Sequence, residues 1–93
     1  MSDLEKYVAN TLAPLVPTYE KLDVRANVGD NTHSVEFFAT INGKKMQCYD
    51  MADNGMIKEK DLDVAFNAIA EYIRKTADYI PGTINKIKFS LNK

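Results

Sequence analysis

His33 is the only histidine and Cys48 the only cysteine of the 93-residue chain, so thiol–imidazole chemistry would require those two together. A nucleophilic cysteine must be exposed and hold a lowered pKa. The alternation of apolar residues around Cys48 instead turns it inward, opposite Phe37. His33 stands in a polar turn with no acid–base partner beside it. Asp50, Asn54, Gly55 and Asp61 fall at the first, fifth, sixth and twelfth places of a calcium loop. Its third place is Ala52, the bidentate glutamate is missing, and a strand replaces the entering helix. The sequence has no phosphate loop or nucleophile elbow. No catalytic residue, metal or cofactor is therefore expected, and the chain reads as a non-enzyme.

Chemistry suited to binding is better represented. Asp50, Asp53, Glu59, Asp61 and Asp63, less Lys58 and Lys60, leave −3 over one short segment. Residues 74–93 carry Arg74, Lys75, Lys86, Lys88 and Lys93 against Asp78, leaving +4. Acids at a helix start and bases toward its end suit the helix dipole. An acidic patch also steers a basic partner. Phe38 and Tyr49 are read as outward aromatics among Arg25, Glu36, Thr40 and Gln47, a composition resembling an interface core. A supporting role in sheet packing would explain the same two rings.

These residues must be positioned by a small number of elements. Ser2-Asp3-Leu4-Glu5 has the form of a capping box, and Leu4, Val8, Leu12 and Leu15 recur at helical spacing, predicting a helix over 3–16. Pro14 strains its end and Pro17 closes it. Lys21 to Val28 alternates apolar and polar residues, as does Val35 to Ile41. Asn42-Gly43 is a type I′ hairpin signal. It pairs Ile41 with Lys44, Ala39 with Met46, Phe37 with Cys48 and Val35 with Asp50. On the other face it pairs Thr40 with Lys45, Phe38 with Gln47 and Glu36 with Tyr49. Matching Val28 with Val35 places Ala26 opposite Phe37 and Val24 opposite Ala39.

Met51 to Lys58 reads as a loop. A helix from Glu59 to Tyr79 follows, with Leu62, Ala65, Phe66, Ile69, Ile73, Ala77 and Ile80 as its stripe. Ile87, Phe89 and Leu91 mark a last strand, expected to run parallel to the third and to pair with either the first or the third. The prediction is one α+β domain over 1–93, ordered α-β-β-β-α-β, mainly antiparallel, with two helices on one sheet face. Twelve basic and thirteen acidic side chains nearly cancel, giving a formal charge of −1. That balance lacks the electropositive footprint of a nucleic-acid binder. The polar start without a signal-peptide core, and the absence of any membrane-length apolar run, predict a cytoplasmic protein without membrane contact.

The chain resembles the YezG-like bacterial immunity proteins. The likeness runs through Val8-Ala9-Asn10-Thr11-Leu12, Pro17, Tyr19-Glu20-Lys21-Leu22 and Arg25-Ala26-Asn27-Val28. It continues through Phe37-Phe38, the Asn42-Gly43 turn, Tyr49-Asp50-Met51 and the amphipathic second helix. The chain departs from the family in lacking a tryptophan and in having one C-terminal strand. The resemblance implies an antitoxin that neutralises a cognate protein toxin, and Asp50 matches an acidic position after the third strand. A nuclease toxin fits an acidic inhibitor, because nuclease clefts are basic to hold phosphates. The expected partner-binding set is Glu36, Phe38, Tyr49, Asp50, Asp53, Glu59, Asp61 and Asp63. A small acidic secretion chaperone is one alternative. A sheet-based RNA-binding module using Phe38 and Tyr49 is another, opposed by Glu36 and Asp50 beside those rings.

Overall fold

The computed structural model describes residues 2–93. Ser2 caps α1 (Asp3–Leu12): its hydroxyl accepts from the Glu5 N–H while Glu5 accepts from the Ser2 N–H, each at 3.1 Å. The helix ends at Leu12, short of the expected 16, because Pro14 has no N–H to continue the ladder. Turns then carry the chain to Tyr19, burying Val16 and the Tyr19 ring on the way. Strands β1 (Lys21–Val28) and β2 (His33–Ile41) bury one alternate set each, led by Leu22, Val24, Val35 and Phe37. Asn42 and Gly43 take φ of 52° and 77°, the left-handed pair that a type I′ turn requires. They lead into β3 (Lys44–Gln47), paired as expected from Ile41↔Lys44 to Phe38↔Gln47.

The β1–β2 register differs from expectation by two residues: Val24 faces Phe37, Ala26 faces Val35 and Val28 faces His33. A slip of two preserves which face each side chain occupies, whereas a slip of one would reverse it. The turn is therefore tighter than the polar run implied, closed by the Gly29 N–H donating to the Thr32 carbonyl at 2.9 Å.

The third strand is also shorter than expected. Gln47 turns its amide oxygen onto the N–H groups of Tyr49 and Asp50 at 2.7 and 3.4 Å, capping a short helix, α2 (Cys48–Asp53). The expected pairings Phe37 with Cys48, Glu36 with Tyr49 and Val35 with Asp50 are accordingly absent, and the expected loop from Met51 begins as helix. Cys48 and Met51 are buried by α2, and Ile57 by the turn that follows.

Helix α3 (Glu59–Arg74) then crosses the sheet. It ends five residues before the expected Tyr79, leaving Ala77 and Ile80 exposed. The helix stops where the Arg74 guanidinium meets the Gly29 and Thr32 carbonyls and the Thr76 hydroxyl donates to the Ile73 carbonyl at 2.7 Å. The last strand, β4 (Asn85–Asn92), pairs antiparallel with β1, giving the order β3-β2-β1-β4. It therefore runs opposite to β3, contrary to the expected parallel arrangement. Asn85 pairs with Val28, so the chain leaves α3 and the turn after it at the end of the sheet where β1 finishes.

The result is an α+β fold: a four-stranded antiparallel sheet with the helices packed on one face. One buried cluster joins α1, α2, α3 and the inward side of the sheet. Across it Phe37 and Phe66 meet edge to face at 6.1 Å, and Tyr7 stacks on Tyr72 at 4.2 Å to join α1 to α3. Among the described residues, no helix is long and apolar enough to cross a membrane.

Candidate partner-binding surface

Tyr49 is the centre of the surface. As the second residue of α2 its ring lies over the helical layer, meeting Phe66 edge to face at 6.2 Å while remaining 42% exposed. Burial raises the pKa of its phenol, helped by the Cys48 thiol and by the carboxylates of Asp63, Glu36 and Glu59. Asp63 lines the same shallow trough as the Tyr49 ring. Asp50, Asp53 and Asp61 lie exposed on α2 and the first turn of α3. Seven of the eight expected residues therefore belong to the α2–α3 end of the molecule or the adjoining stretch of β2.

Phe38 is the exception. It lies half-buried on the open sheet face, with the Lys45 ammonium 5.2 Å from its ring centre. The expected diagonal of Phe38 and Tyr49 on one face does not exist, because Tyr49 leaves the strand for α2. Glu36 stands between the two regions, reaching Arg25 across β1 at 3.7 Å.

The open face is more basic than the sequence implied. Lys21, Arg25, Lys45, Lys86 and Lys88 share it with Asp23 and Glu36, and Asp50 is not on it. Asp23 accepts from the Ser90 hydroxyl at 2.5 Å and lies 3.7 and 3.5 Å from Lys21 and Lys45. The Ser90 hydrogen bond and these two cations hold its carboxyl below the usual range. Arg25 and Lys88 are directly opposed on neighbouring strands, a like-charge pair with an electrostatic cost.

The residues considered for catalysis are separated by burial. Cys48 is inaccessible, as its inward register implied, and burial raises its thiol pKa despite N–H groups of Phe37 and Tyr49 nearby. His33 is exposed at the start of β2. The calcium-loop residues divide between α2, a turn and α3, and among the described residues no group of three or more His, Cys, Asp or Glu forms a candidate metal site.

One polar cluster had no sequence signal. Arg74 donates from Nε to the Gly29 carbonyl at 2.8 Å and from its terminal nitrogen to the Thr32 carbonyl at 3.0 Å. Asp30 accepts the Tyr79 hydroxyl at 2.5 Å and the Gly82 N–H at 2.9 Å. Asn85 donates to the Val28 carbonyl at 3.2 Å. These bonds tie the β1–β2 turn to the end of α3 across 40 or more residues of chain, a distance at which local pattern carries no information.

The architecture defines the class as a small α+β sheet-and-helix domain. Comparison with known proteins returned no matching family model, curated relative or solved structure.

Proposed function

We propose that this chain is an immunity-type protein that binds a cognate toxin and blocks its active site, acting in the cytoplasm and without catalysis of its own. The observation that carries the reading is the exposed Tyr49 ring, held edge to face on Phe66 beside Asp63, with Asp50, Asp53, Glu59 and Asp61 exposed on the same α2–α3 segment. A rigid aromatic anchor inside an acidic rim suits a basic cleft, the kind a nuclease uses to hold phosphates. Phe38 lies apart from this surface and is not one of its anchors.

Rim charges act mainly on association and buried anchors on dissociation. Reversing Asp53 and Asp61 to lysine is expected to slow association with the cognate toxic domain and to flatten its salt dependence. Tyr49→Ala is expected to speed dissociation by an amount equivalent to about 2 kcal/mol or more. Kinetic binding at two salt concentrations, with folding checked for each variant, makes the measurement. Wild-type rates in all three variants would remove the interface from this surface.

The basic open face supports a second reading, a single-stranded RNA binder with Phe38 as its platform. Lys45 over that ring and Glu36 beside it oppose base stacking. RNA binding abolished by Phe38→Ala, with no toxin binding, would decide for it.

A further inference from the structure

The sheet ends at β3 on one side and β4 on the other, and β4 is the long edge, eight residues against four. Lys86, Lys88, Ser90 and Asn92 are exposed along it, and among the described residues its only strand partner is β1. Two backbone bonds fix the phase of this edge. The Lys93 N–H donates to the Glu20 carbonyl at 3.1 Å, extending the Lys21↔Asn92 register by one pair. Antiparallel ladders bond alternate pairs, so Leu91, Phe89, Ile87 and Asn85 bond to β1. The Gly29 N–H on the Thr32 carbonyl gives the same phase, since it commits odd-numbered residues of β1 to β2 and leaves the even-numbered ones for β4. Lys86, Lys88, Ser90 and Asn92 therefore turn both N–H and C=O away from β1, where no described segment meets them.

The side chains on the two faces of β4 decide what this edge accepts. On the open face each carboxylate already has a cation: Asp23 lies 3.7 and 3.5 Å from Lys21 and Lys45, and Glu36 lies 3.7 Å from Arg25. Among the described residues Lys86 and Lys88 pair with no carboxylate. Lys88 also stands opposite Arg25, so the excess positive charge of this face gathers at the β4 edge. On the core face Ile87 and Phe89 are only half-buried, and a trough of about 630 Å³ beside Ile87 is lined by Leu4, Tyr72 and Ala77. Ile80 and Ile84, 60% and 54% exposed, continue this apolar surface past the start of the strand.

We infer that β4 accepts, as an added strand, an extended segment of another protein whose side chains alternate acidic and apolar. Its acids stand opposite Lys86 and Lys88 and relieve the repulsion between Lys88 and Arg25. Its apolar side chains continue the core face beyond Ile87 and Phe89. Strand addition draws affinity from main-chain bonds and specificity from alternate side chains. Opposite charges facing each other across strands stabilise the pairing, and like charges oppose it. A second copy is the wrong occupant, because β4 carries no acid and would bring the same two lysines. The edge lies across the sheet from α2, which packs on β2 and β3, so the inference stands independently of the toxin-binding reading.

The probe is a short blocked peptide alternating Glu and Val, compared with its Lys-Val counterpart and with a version N-methylated along its bonding edge. Amide hydrogen exchange of the full chain is read by NMR. In the free chain the Lys88 and Ser90 amides are expected to exchange fast, and those of Ile87, Phe89 and Leu91 slowly. The Glu peptide should slow Lys88 and Ser90 and leave the other three unchanged, and N-methylation should abolish the effect. Lys88→Glu should weaken binding of the Glu peptide by roughly tenfold, the scale of a close charge pair, and strengthen that of the Lys peptide. This variant should keep its fold, since the new carboxylate faces Arg25. Slow exchange at Lys88 and Ser90 in the free chain at every concentration would show a closed edge and overturn the inference. Protection that grows with chain concentration would do the same, by giving the edge to a second copy. So would equal protection by the Lys peptide or by the N-methylated one, or a Glu peptide that leaves both amides unprotected. Single-stranded RNA that shifts Lys86 and Lys88, with no peptide protecting the edge, would assign these cations to a polyanion on the sheet face instead.

Discussion

Two side chains show how differently a residue's neighbours act on it. Cys48 is surrounded by core, and burial raises its pKa, so the thiol stays protonated. Asp30 is fully exposed, yet the Tyr79 hydroxyl and Gly82 N–H hold its carboxyl below the usual range. The same bond raises the Tyr79 phenol. A carboxyl with a depressed folded pKa stabilises fully above its unfolded value, about 3.9 for Asp, and loses that contribution as pH falls through the folded value. Asp30→Asn is therefore expected to lower stability at neutral pH and to flatten the decline of the melting temperature below about pH 4. Thermal unfolding from neutral to acidic pH checks this. A variant melting in parallel with the wild type throughout would show that the Asp30 bonds contribute nothing to folding.

At the scale of elements, α3 organises the core. Its Leu62, Ala65, Phe66, Ile69, Ala70 and Ile73 are buried, and Phe66 touches both Phe37 on the sheet and Tyr49 on α2. Phe66→Ala is expected to cost about 3–5 kcal/mol in denaturant unfolding, the usual range for emptying an aromatic core site. Ile80→Ala should cost under about 1 kcal/mol, because Ile80 lies outside the helix with 60% of its surface exposed. Equal losses would mean that the helix extends to Tyr79, as periodicity alone predicted. Gln47 has the complementary role: by capping α2 it stops β3, and that stop moves Tyr49 off the sheet and leaves His33–Phe37 without a β3 partner.

Over the whole molecule charge is separated by layer. Acids gather where α2 meets α3, and cations occupy the open side of the sheet. Net charge near zero thus conceals two oriented patches, which steer a partner's approach more than net charge does. The buried cluster is continuous from α1 to β4, so unfolding is expected to be one cooperative transition. Far-ultraviolet circular dichroism and tyrosine fluorescence should give coincident denaturant curves. Labelling of Cys48 should proceed only through opening of that core, slowly in native protein and quickly once unfolded. Labelling as fast in native as in unfolded protein would show that α2 opens independently of the core.

The sequence by itself determined the capping box at Ser2, both long alternating strands, the Asn42-Gly43 hairpin, the buried face of α3 and the α+β class. Each is a local pattern: a side-chain period, a cap or a turn whose backbone angles few residues accept. Tertiary structure decided the rest. The β1–β2 register could slip by two without exposing an apolar residue, so the pattern could not distinguish the alternatives. The end of β3 depended on whether Gln47 would bond its own backbone rather than continue a ladder, a competition settled by Cys48 and Met51 finding the core through a helix. The end of α3 falls where Arg74 meets the β1–β2 turn, more than 40 residues away in sequence. The candidate surface divides in the same way: its acids were legible as a charge run, but the placing of Tyr49 beside Asp63, and its departure from the face that holds Phe38, followed from α2. Local preference chooses among conformations of a few residues, while burial of a shared core chooses among arrangements that local preference leaves nearly equal in free energy.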